Sequence, residues 1–167
     1  MKQFDFAISQ INPFATDLAE QTAKLQADKL EYQLSDAQKR VEKYPTDLAI
    51  RFEYGVLLFQ AGKISEAVTE FQKAQQNPHK KLSAMNYLAQ CYSKRKMYDL
   101  AARTFQNAIK EKQAFDTEKK DLVYNLGSVY ESMGKKEDAI EQFKLIYEID
   151  SSYKDVTKKV EDFYAGQ

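Results

Sequence analysis

The sequence predicts an all-α solenoid of three helix–turn–helix repeats, with a long helix before them and a capping helix after. Three observations carry this. One pattern occurs three times: Tyr54-Gly55, Ala67, Phe71 and Ala74; then Leu88-Ala89, Ala101, Phe105 and Ala108; then Leu126-Gly127, Ala139, Phe143 and Ile146. The first two copies are offset by 34 residues and the third by 38. In each copy the small residue (Gly55, Ala89, Gly127) lies 12 residues before an Ala, as two antiparallel helices require where their backbones approach closely. Around that crossing apolar residues recur at helical spacing: Leu57, Leu58, Val68 and Phe71, then Leu88, Tyr92, Phe105 and Ile109, then Leu126, Tyr130, Ile140 and Phe143. A period of this length means stacked units, none able to bury its apolar face alone, that together form one structural domain.

The elements follow in order. Residues 1–16 are unusually apolar for a solvated tail, with Phe4, Phe6, Ile8, Ile11 and Phe14, and are expected to dock in a groove, on the outer face or in a partner. Residues 17–44 read as a long charged helix, with Asp17 as its cap, Glu20 three residues on and Pro45 as its stop. Its stripe of Leu30, Leu34, Ala37, Val41 and Tyr44 is expected to pack on the first repeat as a degenerate half-repeat. A second line, Leu18, Leu25 and Tyr32, spaced by seven, is a candidate seam for a homodimer. The repeats occupy 45–150, as 48–81, 82–115 and 120–150.

Gly62 and Gly134 fall where a helix should end in a left-handed residue. The middle copy has Lys96 there, which must reach that conformation at a cost or turn differently, so its turn is expected to be the least regular. The four extra residues before the third copy, within Lys110–Lys119, amount to about one helical turn, so a longer helix would keep its inward face inward. Phe115 is expected to cap the stack. Residues 151–167, with Tyr153, Val156, Val160 and Phe163-Tyr164 among six charged side chains, read as the polar helix that ends a solenoid.

Charge and composition exclude several functions. Lys plus Arg and Asp plus Glu both number 25, so the chain lacks the basic excess that nucleic-acid binders use to neutralise phosphates. No run approaches the ~20 apolar residues that span a bilayer, and charge interrupts the N-terminus before a signal-peptide core. A protein without nucleic-acid or membrane partners, in the cytoplasm, is expected, and a lone Cys91 fits a reducing compartment. No catalytic, cofactor or metal site is predicted. His79, the only histidine, stands in a loop, Cys91 lies mid-helix beside core positions, and there is no phosphate-binding loop or nucleophile elbow.

The repeated Leu-Gly-x-x-Tyr and Ala-x-x-x-Phe runs resemble the tetratricopeptide repeat over residues 48–151, most closely in Tyr124-Asn125-Leu126-Gly127-Ser128-Val129-Tyr130 with Gly134 and Ala139. The family's usual Trp is replaced by Arg51, Met85 and Val123. The resemblance implies a right-handed solenoid whose concave face is lined from the first helix of each repeat at its second, fifth, ninth and twelfth positions. These are Ala49, Phe52, Val56 and Phe59, then Ser83, Asn86, Gln90 and Ser93, then Asp121, Tyr124, Ser128 and Glu131. Phe52, Val56, Phe59, Asn86, Gln90, Tyr124, Ser128 and Glu131 are therefore the candidate peptide-binding residues. They grade from apolar, through amide-rich, to a Tyr with carboxylates.

The clamp that some relatives close on the acidic C-termini of heat-shock chaperones needs Lys, Asn, Lys and Arg where Phe52, Val56, Asp121 and Asn125 stand here. Carboxylate capture is thus not expected. The resemblance implies a non-catalytic scaffold or adaptor that holds a peptide segment of a protein partner. The alternatives are a bacterial secretion or assembly chaperone, similar in size and layout, and a self-associating structural stack.

Overall fold

A computed structural model of the protein describes residues 13–166, all helix and short turns. Eight helices lie among them: α1 (Pro13–Lys43), α2 (Leu48–Gln60), α3 (Ile64–Ala74), α4 (Lys81–Lys94), α5 (Tyr98–Glu111), α6 (Thr117–Ser132), α7 (Lys136–Tyr147) and α8 (Val156–Ala165). The pairs α2/α3, α4/α5 and α6/α7 are the three repeats, and each second helix packs on to the first helix of the next pair. The expectations for Phe4, Phe6, Ile8, Ile11 and Phe14 fall outside the described side chains.

Each core belongs to a repeat and its successor. Leu58, Val68 and Phe71 of the first repeat bury against Ala84, Leu88 and Cys91 of α4. Phe105 and Ala101 meet Leu122, Leu126 and Val129 of α6 in the same way, and Phe143 and Ile146 meet Val156 and Val160 of α8. Helix α8 therefore supplies the missing successor of the last repeat, and its other face, with Lys158, Glu161 and Asp162, is exposed.

The small residues do what their spacing predicts. A Cβ on Gly55 would sit 2.9 Å from the Phe71 ring, and one on Gly127 would sit 2.7 Å from the Phe143 ring. Substituting Gly127 by Ala improves helix propensity by about 1 kcal/mol. It also drives a methyl into a fully buried ring, at about 1–3 kcal/mol. Urea denaturation of Gly127→Ala should show net destabilisation; an unchanged or raised midpoint would mean that the helices separate freely there.

The turns correct one expectation. Lys96 takes φ 60° beside φ 74° at Gly62 and at Gly134, and the same pair of backbone hydrogen bonds closes all three turns. In the middle turn these run from Lys96 N to Ser93 O at 2.9 Å and from Met97 N to Tyr92 O at 2.9 Å. The stack fixes the turn, and Lys96 bears the left-handed strain rather than relieving it. Lys96→Gly should stabilise by about 0.5–1 kcal/mol, the left-handed penalty of an L side chain less the chain entropy that Gly adds to the unfolded state. That is a rise of about 2 °C in melting temperature; no rise would mean that the Lys side chain contributes contacts of its own.

The four-residue insertion is absorbed as helix. α5 has 14 residues where α3 has 11, and α6 has 16 where α4 has 14. Phe115, in the linker, is half-buried against the third core. Asp116 caps α6 by accepting from Lys119 N at 3.1 Å, as Asp47 caps α2 by accepting from Ala49 N at 2.9 Å.

α1 starts ahead of its expected cap. It begins at Pro13, a residue suited to the first turn because its missing N–H would have no partner there. Asp17 consequently lies inside the helix and accepts from Gln21 Nε2 at 3.0 Å. The inward stripe meets the first repeat through Leu34, packed against the first core, and Ala37, which is buried.

Arg51 shows how the first repeat manages without a large apolar residue where Met85 and Val123 are buried in the others. Its guanidinium donates to Glu70 Oε2 at 2.8 Å and, through Nε, to the Pro45 carbonyl at 2.8 Å. Both charged side chains are nearly buried, 13% and 11% exposed, so this pair stands inside the fold rather than on it.

Candidate functional site

The first helices α2, α4 and α6 carry the candidate groove, and its three sections differ in what holds them. In the apolar section Phe52 and Phe59 of α2 both meet the edge of Tyr87 from α4, with ring centroids 5.9 and 5.4 Å apart. Tyr87 in turn stacks on Phe71 at 5.1 Å with the rings 13° apart. Val56, on the turn between the two Phe residues, is half-buried like them, so this section keeps accessible apolar surface. Lys80 Nζ stands 5.3 Å from the Phe52 centroid and Lys94 Nζ 5.1 Å from that of Phe59. An apolar strip with an ammonium at each end results.

In the amide section Asn86 Oδ1 accepts from Gln90 Nε2 at 3.0 Å and from Asn125 Nδ2 of the next repeat at 3.1 Å. The Asn86 carbonyl is satisfied within the protein, and its NH2 group has no partner among the described residues. Beside these amides a shallow cleft of ≈190 Å³ runs past Gln90, Ser93, Asn125 and Ser128. Ser128 donates its hydroxyl proton to the Tyr124 carbonyl at 3.1 Å.

The polar section is engaged by the C-terminal segment. Tyr124 donates to Asp155 Oδ1 at 2.6 Å, and Lys154 Nζ stands 4.4 Å from the centre of its ring. Glu131 accepts from Lys159 at 2.8 and 2.9 Å, while Asp121 accepts from Tyr153 and from Lys154 at 2.8 Å. Burial first, and then the carboxylate acceptors, push the Tyr124 and Tyr153 phenols well above their ordinary range, so both stay protonated donors. Burial pushes the Asp121 carboxyl up, but the Lys154 and Tyr153 hydrogen bonds outweigh it and leave the group below the usual carboxylate range. Between α6, α7 and α8 remains a cleft of ≈360 Å³ with Ala139, Ile140, Phe143 and Phe163 in its lining and Glu131 and Lys159 beside them.

The structure thus brings Phe52, Val56 and Phe59 together with Tyr87, and Asn86 and Gln90 together with Asn125. Tyr124 and Glu131 it ties to α8 and the residues before it. Tyr87 and Asn125 are the contributors that the sequence reading passed over as site residues. Both occupy the sixth position of their repeat, where each meets the fifth-position residue of the repeat before. The signal available was the period itself, since Phe52 and Asn86 share one register and so do Tyr87 and Asn125.

Among the described residues no catalytic arrangement accompanies the groove. His79 is exposed in its loop. Cys91 is fully buried, and desolvation pushes its thiol up to about 11, which leaves little thiolate at neutral pH. Among the described residues no three His, Cys, Asp or Glu side chains cluster as metal ligands would. Nor is any described helix long and apolar enough to cross a membrane.

Comparison with known proteins agrees with the repeats. Two family profiles, each described as Tetratricopeptide repeat, match residues 83–111 and 121–153. No curated protein matches the sequence. The crystal structure of MamA is similar at 20% identity over 86% of this chain and 82% of that one, with a TM-score of 0.71. YrrB, described as a TPR protein with an unusual peptide-binding site, is 18% identical over 74% of this chain and 62% of its own, with a TM-score of 0.61. The first TPR of Spaghetti, bound to the HSP90 peptide SRMEEVD, is 16% identical over 71% and 91%, with a TM-score of 0.62. Likenesses at these identities establish the fold. From the threefold pattern, the helix pairs it builds and the two profile matches, the chain belongs to the tetratricopeptide repeat proteins, helical scaffolds for protein–protein interaction.

Proposed function

We propose that the chain is a non-catalytic adaptor that holds an extended peptide segment of a partner protein against α2 and α4. The observation that carries this reading is the Asn86 amide. Its oxygen is committed twice inside the protein, so its NH2 serves a ligand carbonyl, and burying it without one would cost about 1–3 kcal/mol. Next to it, the Phe52, Val56 and Phe59 strip suits an apolar side chain. Lys80 and Lys94 beside that strip favour a peptide with a carboxylate flanking its apolar residue. Ser128 extends the polar floor, while Tyr124 and Glu131 bound the groove through their contacts with the C-terminal segment.

Peptide binding occurs in other proteins of the fold. Spaghetti holds SRMEEVD, a peptide with an apolar residue next to carboxylates. Here the four clamp positions hold Phe52, Val56, Asp121 and Asn125, so recognition rests on the apolar strip and the amides instead of a basic carboxylate clamp.

Selection from a random peptide library against the whole chain tests the reading. Enriched peptides should carry an apolar residue flanked by Asp or Glu. Their affinity should fall about tenfold in Asn86→Ala, the value of one hydrogen bond whose loss leaves a polar partner unpaired. A library without enrichment, or peptides indifferent to Asn86→Ala and Val56→Glu, would count against it.

A further inference from the structure

The half of α1 that extends beyond the first repeat is exposed over its described side chains. Every residue from Thr16 to Lys29 is exposed, with Leu18 at 66% and Leu25 at 70%. A helical segment of that length is marginal in water without packing. Meanwhile α2 has a face that the C-terminal half of α1 covers only in part, through Leu34 and Ala37. The positions that are buried in the later repeats as Ala84, Leu88 and Cys91, and as Leu122, Leu126 and Val129, hold Ile50, Tyr54 and Leu57 in the first, and all three of these are only half-buried. In the later repeats these positions bury chiefly against the preceding second helix, with the preceding first helix beside it.

The 34-residue period identifies the helix that belongs there. Counting back one repeat, Leu18, Thr22 and Leu25 take the places of Phe52, Val56 and Phe59, while Leu30, Leu34 and Ala37 take those of Ile64, Val68 and Phe71. Asp28 takes the place of Gly62. α1 therefore carries the apolar register of one more helix pair, though Gln21 and Gln33 stand where Gly55 and Ala67 let the helices approach closely, and its two halves run on as one because Ala27-Asp28-Lys29 continues the helix where Gly62, Lys96 and Gly134 break it.

The contact rule of the groove supplies the register. Fifth-position Phe52 and twelfth-position Phe59 both meet sixth-position Tyr87 of the next helix, so Leu18 and Leu25 would lie over Glu53. Arg40 already pairs with Glu53 at 3.1 Å, which neutralises the charge on that face. A straight helix cannot carry residues 13–26 back to its own α2, but it can deliver them to another chain's.

We propose that two copies of the chain exchange residues 13–26, each segment packing along residues 30–43 of the other copy's α1 and against the adjoining edge of its α2, as the first helix of an N-terminal pair. The arrangement is a reciprocal twofold dimer of the kind that an opened hairpin produces at low cost. It also lengthens the concave face of each copy by a helix from its partner.

Sedimentation velocity on the full chain from about 5 to 100 µM tests this, with circular dichroism to verify helix content. The wild type should sediment as a dimer and Leu18→Asp/Leu25→Asp as a monomer that keeps the helicity of the three repeats and loses at most that of residues 13–26. Asp28→Gly, which places the left-handed turn residue of the other repeats at the junction, should close the hairpin within one chain and shift the population to monomer. A wild type that is monomeric throughout the range would overturn the proposal. So would a dimer indifferent to the double substitution, and one unaffected by Asp28→Gly would overturn the exchange.

Discussion

Arg51→Ala should destabilise the protein by about 2–4 kcal/mol, because the Glu70 carboxylate, almost inaccessible to water, loses its guanidinium partner at 2.8 Å and keeps only Lys73 Nζ at 3.4 Å. The Pro45 carbonyl loses its guanidinium donor as well. For a chain of this size that is a fall of about 10 °C in melting temperature. The cause lies in the loss of one partner rather than in the worth of the pair, and a double substitution separates the two. Arg51→Met/Glu70→Thr installs the residues that the middle repeat carries at these positions, Met85 and Thr104, and should recover to within about 1–2 kcal/mol of the wild type, since apolar replacement of a buried pair is often neutral. Chemical denaturation of the three proteins checks this. A single variant within about 1 kcal/mol of the wild type would mean that Lys73 and water together compensate Glu70.

Phe71→Ala should cost a similar amount, about 3–5 kcal/mol for an aromatic removed from a closed core. It should also cost function. Phe71 is fully buried beneath Gly55, stacks on Tyr87 and stands 5.8 Å from the Phe52 ring, so it supports the apolar strip of the groove from below. At a temperature where the variant is still folded, peptides selected on the wild type should bind at least tenfold more weakly. Phe105→Ala removes the equivalent ring of the middle repeat and should destabilise comparably, yet leave the Phe52–Tyr87–Phe59 arrangement in place. Equal loss of binding in both variants would show that stability alone is being read.

Much of this was legible in the sequence because a repeat states its contacts more than once. Gly55 over Phe71 and Gly127 over Phe143 follow from a spacing that recurs, and the lengthening of α5 and α6 follows from an insertion of about one helical turn. What lay outside the period was harder to read. The ties of Tyr124 to Asp155 and of Glu131 to Lys159 depend on where α8 lands, and nothing in a repeat specifies the charges of its terminal helix. The roles of Tyr87 and Asn125 depend on how far one first helix is rotated against the next, a quantity that helical periodicity within one element does not contain. Lys96 went the other way. Its residue type suggested an irregular turn, but the packing of α4 on α5 imposes the same left-handed conformation that Gly adopts elsewhere.

The central claim is that a peptide lies along α2 and α4 on the concave face. Amide chemical-shift mapping of the labelled chain, titrated with a peptide selected on the wild type, tests it most directly. The account predicts that the shifts cluster at Phe52, Val56, Phe59, Asn86 and Gln90 and fade beyond Ser128, where the C-terminal segment engages the groove. Shifts confined to α3 and α5, or to α8, would contradict it.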